Sequence, residues 1–340
     1  MRILVTGANG FVGAALCKKL VQSGHQVRGL VRKTSDCSLL QGVSIEKVIG
    51  SLEDTESLRK AAEQAELVYH TAAAVTDWGT YTFFRRVNVE GTRHMLDAAV
   101  ASGIRRMVLV SSVVVSSFID QRHMDENSPR HDTPFPYCRT KREAEELAMQ
   151  YHRKGLIEIV IVRPGDIYGP GDRVSLLKMA PLLEKGGMAY IDHGHKTGAF
   201  TYIENLVDGL ILAGSAKEAA GQAFVITDGI ELTWRAYFEK LCDALEVPRP
   251  KISVPSWLAL GIAAFLETLY RLMRIKARPP LTMYLVHHLR SDFHFSIRKA
   301  KQILGYDPGV GIDAAMKKTA AWYNAVVRAG KTESKCEDSA

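Results

Sequence analysis

A chain of 340 residues, 46% hydrophobic and 24% charged, has the composition of a soluble globular protein with enough apolar material for a sizeable core. At ~150 residues per domain it amounts to two domains or one large α/β domain with an insertion, and disordered, collagen-like and low-complexity readings fall away. The formal net charge of +7 suits a partner bearing phosphates or an anionic membrane surface, but the longest basic cluster, Arg28 to Lys33, is too short for a nucleic-acid stripe, so no nucleic-acid partner is expected.

Along the chain, short apolar runs alternate with amphipathic segments. Strands are predicted at Ile3–Thr6, Gln26–Val31, Ser44–Ile49, Leu67–Ala72, Met107–Ser111 and Ile157–Val162. Helical patterns lie between them, for example Phe11 to Gln22, Phe83 to Ser102 and Tyr137 to Lys154. That alternation builds βαβ units, hence an α/β protein with a Rossmann-type, doubly wound parallel sheet. The runs MVLV and IVIV are apolar at every position, as strands buried on both faces require. After Arg163-Pro164-Gly165 the rhythm changes. Glycines and prolines punctuate the chain to Gly187, strand–helix pieces follow at Ala223 to Thr227 and Thr233 to Leu245, and from Pro255 the pattern is mostly helical to a final helix, Ile312 to Ala329. The expected organisation is a nucleotide-binding domain over 1–168, to which segments near 203–227 return. A smaller, mostly helical substrate region covers 169–330, and a polar, flexible tail covers 331–340.

The first strand runs straight into Gly7-Ala8-Asn9-Gly10-Phe11-Val12-Gly13, which opens a helix. Glycines at 7, 10 and 13 allow a sharp turn, close approach to a pyrophosphate and tight helix–strand packing. The free N–H groups and positive dipole end at Phe11, Val12 and Gly13 face the phosphates. An NAD site carries an acid about 20 residues further on, against the ribose hydroxyls. Here the second strand ends Val31-Arg32-Lys33. An acid would repel a ribose 2′-phosphate, whereas an arginine fork binds it, so NADP(H) is the preferred cofactor and NAD(H) stays open.

Tyr137 and Lys141 sit four apart at the start of a predicted helix, so phenol and ammonium share a face. The ammonium, together with an oxidised nicotinamide, is expected to favour the phenolate and make Tyr137 a general acid/base near neutral pH. Ser111-Ser112 ends the fifth predicted strand, at the sheet edge where open α/β folds bind ligands.

Taken together, Thr6-Gly7-x-x-Gly10-x-x-Gly13, Asn88-Val89-Glu90-Gly91-Thr92, Ser112, Tyr137-x-x-x-Lys141 and Arg163-Pro164-x-x-Ile167-Tyr168-Gly169-Pro170 resemble the extended short-chain dehydrogenase/reductase superfamily. The resemblance runs from Met1 to about residue 310 in the family order. It implies that Ser112 binds the substrate oxygen, Tyr137 relays the proton, and Lys141 holds the nicotinamide ribose and tunes Tyr137. It also implies that Asn88 fixes the strand 4 region, that Ser51, Leu52, Ala72, Ala73, Ala74, Pro164 and Ile167 line the cofactor, and that the protein is a homodimer. Ser51 departs from the aspartate usual at that position, which leaves adenine to Leu52 packing and backbone.

Within the superfamily, sugar-nucleotide dehydratases carry an Asp-Glu pair after the catalytic hydroxyl. Here those positions are Val113-Val114, so dehydration lacks its acid and base. Epimerases usually carry Asn in the Arg-x-x-Asn turn. The Asp166 found here would repel a diphosphate, unless it is a surface turn residue. Trp78-Gly79-x-Tyr81, Phe200 to Gly209, and Phe295 to Lys301 followed by Leu304 to Pro308 resemble the 3β-hydroxysteroid dehydrogenase, sterol-4-carboxylate dehydrogenase and 2-alkyl-3-oxoalkanoate reductase branch. The expected activity is NADP(H)-linked hydride transfer to or from a secondary alcohol or ketone on a small lipophilic substrate. The alternatives are a nucleotide-sugar epimerase with tightly held NAD(P) and a non-catalytic NADP(H) sensor.

Residues 257–275 read as an interfacial helix giving peripheral membrane contact, a lid over a lipid pocket, or a core or dimer helix. His193, His195, His287 and His288 show no metal-ligand motif, and no metal is expected. Five scattered cysteines without C-x-x-C read as reduced thiols. MRILVTG is too short for a signal peptide, and no run of about 18 uncharged apolar residues spans a bilayer. A cytoplasmic protein, with peripheral membrane association open, is expected.

Overall fold

The computed structural model describes residues 1–116, 118 and 121–328. The expected tail at 331–340, Cys336 and the end of the predicted last helix at Ala329 lie outside the described residues. The chain opens with β1 (Arg2–Thr6), α1 (Phe11–Gln22), β2 (Gln26–Val31), β3 (Glu46–Ile49), α2 (Thr55–Ala62) and β4 (Leu67–His70). Next, α3 (Tyr81–Arg85) passes through a π-turn, Arg86–Glu90, into α4 (Gly91–Ala101), followed by β5 (Arg106–Val110) and β6 (Gln121–Met124). The middle of the chain holds α5 (Pro136–Arg153), β7 (Glu158–Pro164), β8 (Asp166–Tyr168), α6 (Leu176–Glu184), β9 (Ala189–Ile191), β10 (Thr197–Gly198), β11 (Phe200–Tyr202) and α7 (Ile203–Ser215). It ends with β12 (Gln222–Ile226), β13 (Leu232–Thr233), α8 (Trp234–Leu245), β14 (Ile252–Val254), α9 (Ser256–Leu272), α10 (Met283–Arg290), β15 (Phe293–Phe295) and α11 (Ile312–Tyr323).

Seven strands form one parallel sheet in the order β12-β7-β5-β4-β1-β2-β3. The winding direction reverses between β1 and β4, and an open α/β sheet binds ligands at such a switch point, beyond the carboxyl ends of its strands. Along β1, Ile3 and Val5 join one core cluster and Leu4 the other, because successive strand residues point to opposite faces. The second cluster lies under α2, α4 and α5, while the first continues through α7 and α8 to Tyr323 in α11. A third, small cluster is separate: Ile191, Ala259, Ala263 and Val286 join α9 to α10.

Two expected elements differ in a way that shapes the site. Strand β4 stops at His70 instead of Ala72, because the chain leaves the sheet there and crosses over the glycine loop. The helix expected over Phe83 to Ser102 is interrupted at Arg86–Glu90, where the π-turn contains Asn88. Extra backbone of this kind re-aims a side chain and is frequent at functional sites.

Candidate active site

At the start of α1, a Cβ on Gly13 would lie 2.2 Å from the Gly7 carbonyl oxygen, and Gly7 itself has φ +65°. Only glycine closes this turn. Gly10 caps α1 without a side-chain bond and the first turn holds no acid, so the N–H groups there remain available to an anion. The residues present fit a dinucleotide pyrophosphate. At the end of β2, Arg32 and Lys33 are exposed, and neither side chain has a partner among the described residues. The acid nearest in sequence, Asp36, is engaged elsewhere: it accepts from the Ser38 N–H at 2.8 Å and pairs with Arg173. Those bonds hold its carboxyl down at about 2. Of the other expected cofactor residues, Ser51 accepts from the Glu53 N–H at 3.3 Å in the turn before α2, and Leu52 is a core residue packed on Gly91.

A buried polar column connects the glycine loop to α5. The Thr6 hydroxyl meets His70 Nδ1 at 2.9 Å, and His70 Nε2 meets the Thr92 hydroxyl at 3.2 Å. Thr92 Oγ1 donates to the Asn88 carbonyl at 2.6 Å, and Asn88 Nδ2 donates to Thr140 Oγ1 at 3.2 Å. Because Thr92 spends its proton on Asn88, it accepts from Nε2–H, which leaves Nδ1 to accept from Thr6. Burial, with the nearby Lys141 charge, pushes the His70 imidazole down to about 3, so it is neutral. Asn88 Oδ1 also accepts from the Ala74 N–H at 2.8 Å, fixing the loop of Ala72, Ala73 and Ala74. Thr92 falls in the Asn88–Thr92 motif, whereas His70, the one polar residue of β4, and Thr140, one of many polar residues in α5, were not singled out by sequence reasoning.

Ser112, Tyr137 and Lys141 come together where β5 ends against the start of α5. The Ser112 hydroxyl lies near enough to the Tyr137 phenol to favour its ionised form. The Lys141 ammonium donates to the Val110 carbonyl at 2.6 Å, leaving two N–H donors. Burial lowers the Lys141 ammonium to about 8, against an opposing pull from Glu145. Burial raises the Tyr137 phenol well above its usual range, and Ser112 only partly opposes this. Pro164 ends β7, and Ile167 lies in β8 beside Thr201. Arg163 is bound in the fold: it grips Glu145 of α5 with two bonds, at 2.8 and 2.7 Å, and Arg130 joins the same carboxylate at 2.9 Å.

The wall facing Tyr137 is aromatic. Phe84 lies 6.1 Å and Tyr284 6.3 Å from its ring, and Phe118 and Phe135 pack on Tyr284 at 4.8 and 5.4 Å. Asp166 is not a surface turn residue, for its Oδ1 meets His288 Nε2 of α10 at 2.7 Å. Its Oδ2, and His288 Nδ1, are buried without partners among the described residues. Val113 and Val114 are buried beside Ser112.

Residues 3–227 match the model of the NAD dependent epimerase/dehydratase family. The chain belongs to that family. Among curated relatives of this family member, a 2-alkyl-3-oxoalkanoate reductase of Stenotrophomonas maltophilia is 31% identical, with 94% of this chain and 99% of that protein covered. A decarboxylating sterol-4-alpha-carboxylate 3-dehydrogenase of Mus musculus is 28% identical, with 93% and 89% covered. The solved UDP-glucuronic acid 4-epimerase of Bacillus cereus, in complex with UDP-glucuronic acid and NAD, shares the fold with a TM-score of 0.77 at 21% identity, over 96% of this chain and 100% of that one. For this epimerase/dehydratase family member the structure also gathers a group the sequence did not reveal. His123, Glu231 and His294 come from three separate segments, and their ligand atoms lie within 4.8 Å of one another. The group shares no residue with the Ser112–Tyr137–Lys141 site.

Proposed function

We propose that the protein is an NADP(H)-preferring oxidoreductase that moves hydride between nicotinamide and a secondary alcohol or ketone on a lipophilic substrate, sterol-like or a long-chain β-hydroxy/β-keto compound. The observation that carries this reading is Tyr137, whose phenol has Ser112 beside it while its ring is walled by Phe84 and Tyr284. A bound nicotinamide supplies the hydride in reduction and accepts it in oxidation. In reduction Ser112 donates a hydrogen bond to the carbonyl oxygen, and Tyr137, kept protonated by burial, transfers its proton to that oxygen. The adjacent Lys141 ammonium then stabilises the phenolate until it is reprotonated. Arg32 and Lys33, unpaired and exposed, are the groups for a ribose 2′-phosphate, and Asp36 is already taken by Arg173.

The names of the two relatives support the substrate class. A 2-alkyl-3-oxoalkanoate and a sterol-4-carboxylate are both rich in hydrocarbon, and both place a carboxylate on the carbon next to the reacting one. The aromatic wall suits the first property. A nucleotide diphosphate would have to lie against the Asp166 carboxylate, which disfavours the sugar-nucleotide reading.

The test follows nicotinamide absorbance while the purified protein is offered NADPH with 3-ketosteroids and long-chain β-keto acids. NADPH consumption that vanishes in Tyr137→Phe is the expected result. Conversion of a UDP-sugar with no net change in nicotinamide would overturn it.

A further inference from the structure

Helix α9 is built the wrong way round for a core element. It buries only Ala259 and Ala263, against α10, and turns its large side chains outward. Trp257 is 73% exposed, Phe265 66% and Leu272 77%, with Leu258, Ile262 and Leu269 also exposed. At 100° per residue these six fall within an arc of about 140°, one continuous apolar stripe. Charge around the stripe has one sign. Glu267 is the only acid between Lys251 and Arg278, and it is spent on Arg271 and the Met283 N–H. Lys251 before the helix, and Arg274 and Lys276 after it, are exposed and have no partner among the described residues.

We propose that this face docks on an anionic lipid bilayer. Aliphatic and aromatic side chains on one arc, a tryptophan at one end and free cations at both ends suit the boundary between acyl chains and acidic headgroups. A second copy of the chain fits worse. Antiparallel pairing about a two-fold axis would set Arg274 and Lys276 against the partner's positive helix N-terminus and Lys251. The helix lies in the interface and does not cross it: among the described residues no helix is long and apolar enough to span a membrane. Docking has a consequence that rests on the proposed lipophilic substrate. Helix α10 packs on the inner side of α9 and carries Tyr284 and His288 into the wall facing Tyr137, so the site lies one helix away from the lipid.

The experiment is co-sedimentation of the full-length protein, without substrate or nicotinamide, with vesicles of phosphatidylcholine plus phosphatidylglycerol and with vesicles of phosphatidylcholine alone. Because turnover plays no part, inactivity on ketones would leave this test untouched. Wild type is expected to bind the anionic vesicles and to be released by salt. Binding should weaken about tenfold or more in Arg274→Glu/Lys276→Glu, and again in Trp257→Ser/Phe265→Ser, with circular dichroism unchanged. Wild type that stays in solution with anionic vesicles, or variants that bind as wild type does, would overturn the proposal. So would self-association of the wild type that the Trp257→Ser/Phe265→Ser protein loses, which would make a second copy the occupant.

Discussion

Helices α5 and α9 are of similar length and opposite character. Helix α5 is rich in charge, yet it buries Lys141 and Glu145 along with Cys138, Ala144, Leu147 and Ala148. Helix α9 is rich in hydrocarbon, yet it buries two alanines. The inversion shows where folding stops being the only demand on a sequence. Burying Lys141 and Glu145 is tolerated because Val110 takes the ammonium and Arg163 and Arg130 take the carboxylate. Exposing Trp257 and Phe265 has no such compensation among the described residues, which points to compensation from outside them.

The contrast can be broken most sharply at Tyr137. Tyr137→Phe should lower turnover by about 10²-fold or more while NADPH binding, followed by fluorescence, persists. Of comparable size is Glu145→Ala, which strands Arg163 and Arg130 and should cost about 3–5 kcal/mol by denaturant titration. The third test is pH. Lys141 loses its proton near pH 8 in the folded chain, so kcat/KM should fall above about pH 8, and Lys141→Arg should carry that limb upward. The sign for stability is opposite. The folded state holds this proton less tightly than the unfolded chain, so stability should rise as pH climbs from about 8 towards the ordinary 10.5. A smaller effect is expected of Arg32→Ala/Lys33→Ala, which should raise KM for NADPH about tenfold and leave NADH unchanged. Smallest of all, Leu272→Ser on the exposed face of α9 should leave thermal stability within about 0.5 kcal/mol of wild type.

Much of the α5 side of this contrast was legible from residues alone. Glycine spacing after an apolar strand, and a tyrosine and lysine four apart, are local patterns, and local patterns survive folding. The sheet followed from the alternation of elements for the same reason. What stayed hidden depends on distance along the chain. Asp166 and His288 are 122 residues apart, and nothing near either announces the other. His70 looks like one polar residue closing an apolar strand, and Arg173 gives no sign that it will occupy Asp36. The stripe on α9 is visible as a pattern, but pattern alone leaves membrane helix, lid, and core or dimer helix open. Exposure of Trp257, Phe265 and Leu272 removes the core reading.

The polar column from Thr6 through His70, Thr92 and Asn88 to Thr140 consists of neutral groups, since His70 gains a proton only near pH 3. It therefore ties the glycine loop to α5 through uncharged groups. The nicotinamide of a dinucleotide changes charge each time hydride leaves or returns. A column with no titrating member would tie the glycine loop to α5 in the same way whichever charge a bound nicotinamide carried.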